Sequence, residues 1–119
     1  MTYAAKHFTA KEWRCKCGQC GGRSATQPLS DQLLVRLDLL RAALGAPITI
    51  TSGWRCEAHN AATPGASARS YHLQGRAADI TADEFAALTG IARRIGELYL
   101  YKWTELLVYP DRRYLHVAV

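Results

Sequence analysis

His72 and Asp79 lie seven residues apart in Ser70-Tyr71-His72-Leu73-Gln74-Gly75-Arg76-Ala77-Ala78-Asp79. A neutral imidazole and a carboxylate at that spacing converge if the chain turns between them, and Gly75 turns without steric cost. Zinc takes imidazole nitrogen and carboxylate oxygen readily. A third ligand is available in Tyr114-Leu115-His116-Val117-Ala118-Val119. Alternation there puts Tyr114, His116 and Ala118 on one face and Leu115, Val117 and Val119 toward a core. Three protein ligands leave a fourth position for water, the catalytic rather than the structural arrangement. Zinc lowers that water's pKa toward about 7 and polarises a carbonyl oxygen. Spacing alone also allows a plainer reading, in which His116 is a packed or surface residue of its strand.

These residues need strands and helices to position them. Ser30 reads as an N-cap. Leu33, Leu34, Leu37, Leu40 and Leu44 recur at helical spacing, with Asp38 and Arg41 off the stripe, which predicts a helix over Asp31–Leu44 stopped by Gly45 and Pro47. The β-branched run Ile48-Thr49-Ile50-Thr51 reads as a strand ended by Ser52-Gly53. One or two helical turns fit residues 57–62, followed by a polar loop over 63–70. Residues 76–81 read as a second strand, with Ala77, Asp79 and Thr81 on one face. Thr81 and Glu84 form a capping-box pattern. The helix it starts would bury Phe85, Leu88, Ala92, Ile95 and Leu98 or Tyr99. Residues 105–109 and 114–119 look like strands joined by the turn Pro110-Asp111-Arg112-Arg113. The mixture lacks regular βαβ alternation, so the expected class is α+β, a single domain over residues 1–119 with a small antiparallel sheet packed with helices.

The pattern Ser-x-His-x-x-Gly-x-Ala-x-Asp, filled by Ser70, His72, Gly75, Ala77 and Asp79, resembles the signature of the zinc D-Ala-D-Ala carboxypeptidase family. That family is similar in fold to the D,D-dipeptidases of vancomycin resistance and to the hedgehog signalling domain. Ser52-Gly53-Trp54-Arg55 resembles the family's Ser-Gly-Tyr-Arg, Cys56-Glu57-Ala58-His59-Asn60 resembles the stretch after it, and Tyr114-Leu115-His116-Val117 resembles its closing Phe-Val-His-Val. The resemblance covers the chain from about residue 29 onward. It implies His72, Asp79 and His116 as ligands of one catalytic Zn²⁺. It also implies that Arg55 holds a substrate carboxylate or the charge that develops on a carbonyl oxygen. A structural ion pair is the other reading of Arg55. Ser70 would hydrogen-bond near a ligand or stabilise its own turn. The implied activity is a carboxypeptidase or endopeptidase acting on D-amino-acid-containing peptides of peptidoglycan.

The chain departs from the family where an acid/base is expected. The family's closing motif usually continues His-x-Asp, and this chain has Ala118. Some relatives carry an acid three residues before the ligand, here Arg113, and others a His two before it, here Tyr114. A peptidase of this type needs a group that takes and returns a proton. Asp111 is the nearest carboxylate in sequence and the candidate catalytic residue, with a turn-forming role as its alternative; Glu105 is next. Tyr114 could donate a hydrogen bond but is a poor base. This gap raises a second reading, a zinc-containing module that binds cell wall or a partner without turnover.

Residues 1–27 read as an irregular, glycine- and cysteine-rich N-terminal loop: Cys15, Cys17 and Cys20 fall within six residues, and Cys56 follows Arg55. Four thiolates could hold a second, structural zinc; two disulfides or free thiols are the alternatives.

The chain has 119 residues, 49% hydrophobic and 21% charged, enough for one core without disulfides. Its net charge of +5 favours an anionic partner such as a cell wall. The basic residues are scattered, so nucleic acid is not the expected partner. No apolar stretch is long enough to cross a bilayer, and residues 1–10 lack a secretory pattern. The expectation is synthesis in the cytoplasm and action on the wall as a monomer after release, as in phage or prophage enzymes.

Overall fold

The computed structural model describes residues 3–16, 29–67, 69–98 and 101–119. The leucine stripe forms helix α2 (Asp31–Leu44), with Leu33, Leu34, Leu37 and Leu40 all buried. Gly45 ends it in the left-handed conformation. Ser30 sits at the N-cap position, but its side chain makes no capping bond.

Four strands follow the predicted order: β1 (Thr49–Ser52), β2 (Ala77–Thr81), β3 (Glu105–Tyr109) and β4 (Tyr114–Ala118). They form one antiparallel sheet in the spatial order β1-β2-β4-β3. Ile50, Ala78, Ile80, Leu115 and Val117 turn one face toward α2 and helix α4 (Phe85–Glu97), closing the core. The period-two alternation of strands therefore delivers Asp79 and His116 to the opposite face. There Asp79 and His116 are direct cross-strand partners. The class is α+β with a small antiparallel sheet, as expected.

Several local expectations are corrected. The Thr81–Glu84 capping box does not form. Thr81 is still in β2, opposite Thr49, and its Oγ1 donates to the Arg113 carbonyl at 2.5 Å. Sheet pairing outweighs the local cap, and α4 begins at Phe85 with Glu84 at its N-cap. Leu98 is exposed at the end of α4, and Tyr99 lies outside the described residues.

Asp38 is buried. Its carboxylate accepts from the Tyr3 hydroxyl at 2.5 Å and from the backbone N–H groups of Lys6 and His7 at 2.8 and 3.1 Å. A carboxylate can be buried when it is hydrogen-bonded in this way. It anchors the N-terminal segment, which is less irregular than expected. That segment contains α1 (Ala10–Trp13), opened by a capping box between Thr9 and Glu12. Among the described residues, no helix is long and apolar enough to cross a membrane.

Candidate metal centre

His72 comes from a short 3₁₀ turn (Tyr71–Gln74) between a polar loop and β2. Ser70 Oγ accepts the His72 N–H at 3.2 Å and starts the turn. Gly75 ends it at φ +68°, a conformation that costs an L side chain energy. The chain thus reverses between His72 and β2, and the imidazole comes to lie over Asp79. His72 Nε2 is 3.2 Å from Asp79 Oδ1, and His116 Nδ1 is 3.0 Å from the same oxygen. Ligand atoms of all three residues lie within 4.8 Å of one another, the one such His/Cys/Asp/Glu trio found among the described residues.

The outer edges of both rings are also engaged. His72 Nδ1 lies 2.7 Å from the Gly53 carbonyl oxygen, and His116 Nε2 lies 2.8 Å from Glu105 Oε1. Each imidazole is therefore held between two oxygen acceptors. A neutral ring carries one N–H, so once that N–H points outward, the inner nitrogen presents a lone pair to the Asp79 carboxylate. Two lone pairs facing each other at about 3 Å require a cation between them, either a proton or a metal. Two imidazole nitrogens and a carboxylate oxygen, with outer acceptors fixing the tautomers, suit zinc. The donor set fits the ion.

Protonation answers the same demand in the metal-free chain. Burial works against the charged form of His116, but hydrogen bonds to Asp79 and Glu105 outweigh it and raise its pKa. Burial likewise pushes the Asp79 carboxyl up, yet the hydrogen bonds from His116 and His72 prevail and bring it down to about 2.

Arg55 is buried beside this trio. Its guanidinium donates to Asp79 Oδ2 at 3.2 Å, to Ser52 Oγ at 3.1 Å and to Asn60 Oδ1 at 3.4 Å. Three of its five N–H groups are engaged in this way. The ion pair leaves the other two as donors, and Arg55 still lines the cavity above the centre, which measures about 770 Å³.

Glu105, Tyr114 and Arg112 also line that cavity, whereas Asp111 is an exposed residue of the β3–β4 turn and is not among the lining residues. Glu105 is directly opposite Ala118 in the β3–β4 register. A carboxylate is thus supplied from the neighbouring strand at the very position where the sequence of β4 lacks one. Strand pairing is a tertiary fact, and proximity to His116 along the chain could not reveal it. The Gly53 carbonyl was equally invisible, because backbone acceptors leave no residue-type signature.

Cys15 and Cys56 meet away from the trio: the Cys56 N–H donates to Cys15 Sγ at 3.4 Å. Cys17 and Cys20, the other members of the expected cysteine site, lie outside the described residues.

Comparison with curated proteins gives no match. Comparison with protein families gives a match to peptidase M15 over residues 6–118, a span that includes the whole His72, Asp79 and His116 centre. With nearly its full length matched and a zinc-compatible donor set on one face of its sheet, the chain belongs to the peptidase M15 family of zinc peptidases.

Proposed function

We propose that this chain is a zinc-dependent peptidase that hydrolyses D-amino-acid-containing peptides of peptidoglycan. The observation that carries the reading is the convergence of His72, Asp79 and His116 beneath an open cavity, each imidazole backed by an acceptor. Zinc bound there supplies a Lewis acid and a water of lowered pKa.

The protein's own groups do the rest. The Gly53 carbonyl and Glu105 keep the outer N–H on each imidazole, so the inner nitrogens stay available as ligands. Arg55 presents its remaining N–H groups where negative charge grows on the substrate carbonyl oxygen. Burial and the nearby Asp79 raise the Tyr114 pKa, so its hydroxyl keeps its proton and serves as a second donor. Glu105 is the carboxylate best placed to exchange a proton at the cavity, in preference to Asp111. Its side chain is 41% exposed, which leaves it room to move.

Arg69 and Arg112 add positive charge to the cavity rim, which suits a substrate carrying carboxylates. The net charge of +5 suits the anionic wall in the same way. In this reading the chain acts as a monomeric single domain, reaching the wall after release from the cell.

Purified protein incubated with sacculi, with released peptides identified by mass spectrometry, tests the proposal. Zinc-dependent release of peptides, abolished in His116→Ala, is the expected result. Binding to sacculi with no release would favour the non-catalytic module, the reading that the Ala118 departure raises.

A further inference from the structure

The sulfur–imidazole cluster at the start of α3 (Glu57–Ala62) plays no part in the chemistry above. Cys15 Sγ lies 3.2 Å from His59 Nδ1 and accepts the Cys56 N–H at 3.4 Å. Cys56 caps α3, its Sγ accepting the His59 N–H at 3.4 Å. Cys56 and His59 are three residues apart, so their side chains issue from one turn of helix. Cys15 is buried and arrives from a different part of the chain. It is brought there because α1 packs on the loop after β1: the Trp54 N–H donates to the Trp13 carbonyl at 2.6 Å.

The chemistry of this cluster is that of a soft metal site. A backbone N–H group meets each sulfur, and cysteine binds metal as its thiolate. In a tetrahedral zinc site, with bonds of about 2.3 Å to sulfur and about 2.0 Å to nitrogen, neighbouring donors stand roughly 3.5 Å apart. The sulfur–nitrogen separation of 3.2 Å is close to that edge; the Cys56 sulfur is not drawn in as tightly as the donors of the His72, Asp79 and His116 trio and must close on the ion as it binds.

We propose that Cys15, Cys56 and His59 form a second site for a thiolate-preferring divalent cation, zinc in the first instance, with a structural role. Sequence alone pointed to an all-cysteine set; the fold introduces His59 and makes the site a mixed sulfur–nitrogen one. The site fastens the N-terminal segment to the Gly53–Cys56 loop, which supplies the carbonyl behind His72 and the Arg55 guanidinium. It is independent of the peptidase reading.

The test is metal content per chain, with the full protein purified under reducing conditions and loaded with zinc or cobalt. About two ions are expected in the wild type. Cys15→Ser and His59→Ala should each lose one, and His116→Ala should lose the other. The cobalt-loaded wild type should show thiolate-to-cobalt charge-transfer absorption, a readout that needs no variant to fold. That absorption should persist in His116→Ala and vanish in Cys15→Ser. A wild type without the thiolate band, or with Cys15 and Cys56 recovered as a disulfide, overturns the proposal. So does a His59→Ala variant that keeps both ions and the unchanged band. One ion that survives His116→Ala but not Cys15→Ser would uphold this site and sink the catalytic one.

Discussion

Glu105 reaches across the β3–β4 ladder to hold Nε2 of His116 at 2.8 Å. A ligand imidazole whose outer N–H is held by a carboxylate is fixed in tautomer and orientation and is made more basic. Glu105→Ala is therefore expected to weaken zinc binding about 10- to 100-fold. Glu105→Gln should lose less, because its amide oxygen still accepts that N–H. Competition against a chromophoric chelator measures both. Wild-type affinity in the alanine variant would remove Glu105 from the centre.

The two shifted groups of the centre give opposite limbs of a pH profile. His116 has its pKa raised above 6.5, so in the metal-free chain its contribution to stability is complete below 6.5 and is lost as pH rises through the higher folded value. Asp79 is depressed from 3.8 to about 2, so its contribution is present above 3.8 and is lost as pH falls through about 2. Zinc competes with the His116 proton, and its affinity should climb as that proton leaves. The gap in melting temperature between zinc-loaded and chelator-treated protein should thus widen as pH rises above 6.5. A gap that narrows or stays constant contradicts this arrangement.

Arg55 joins three elements through one planar group: Ser52 at the end of β1, Asn60 in α3 and Asp79 in β2. Lysine retains the charge but cannot present that fork. Arg55→Lys should cost about 1–3 kcal/mol of stability, since the buried Asn60 and Asp79 oxygens each lose a donor. Denaturant unfolding of the metal-free chain isolates this structural part from any effect on turnover. A variant as stable as the wild type would mean that the guanidinium serves substrate alone.

Gly53 is tightly packed: a Cβ placed there would come within 2.5 Å of the Trp13 carbonyl oxygen and 2.7 Å of its Cβ. Gly53→Ala must push α1 away or shift the loop whose carbonyl holds His72. We expect a loss of about 1–3 kcal/mol together with weaker zinc binding. Thermal unfolding and chelator competition read the two effects separately. Loss of stability with unchanged zinc affinity would show that the loop stays in place and α1 yields.

The sequence by itself carried the features that depend on near neighbours. The leucine spacing from Leu33 to Leu44, the β-branched run at Ile48 and the turn at Pro110 specified their elements, because periodicity and turn chemistry act over a few residues. His72, Asp79 and His116 were legible through their residue types and the ten-residue pattern around Gly75. What failed were judgements that needed distant partners. Thr81 looked like a helix cap until β1 paired with β2 and kept it in the sheet. Asp38 lay off the apolar stripe, and its burial had to wait for the backbone of Lys6 and His7 to satisfy its carboxylate. Glu105 ranked below Asp111 by distance along the chain, yet the β3–β4 register is what brings Glu105 to His116 and the cavity. His59 passed unnoticed beside the cysteines because α1 had not yet brought Cys15 to it. Local sequence determines conformation through short-range sterics and hydrogen bonds; only the folded sheet and its packing decide which side chains from separate segments share one small volume, and there the chemistry is set.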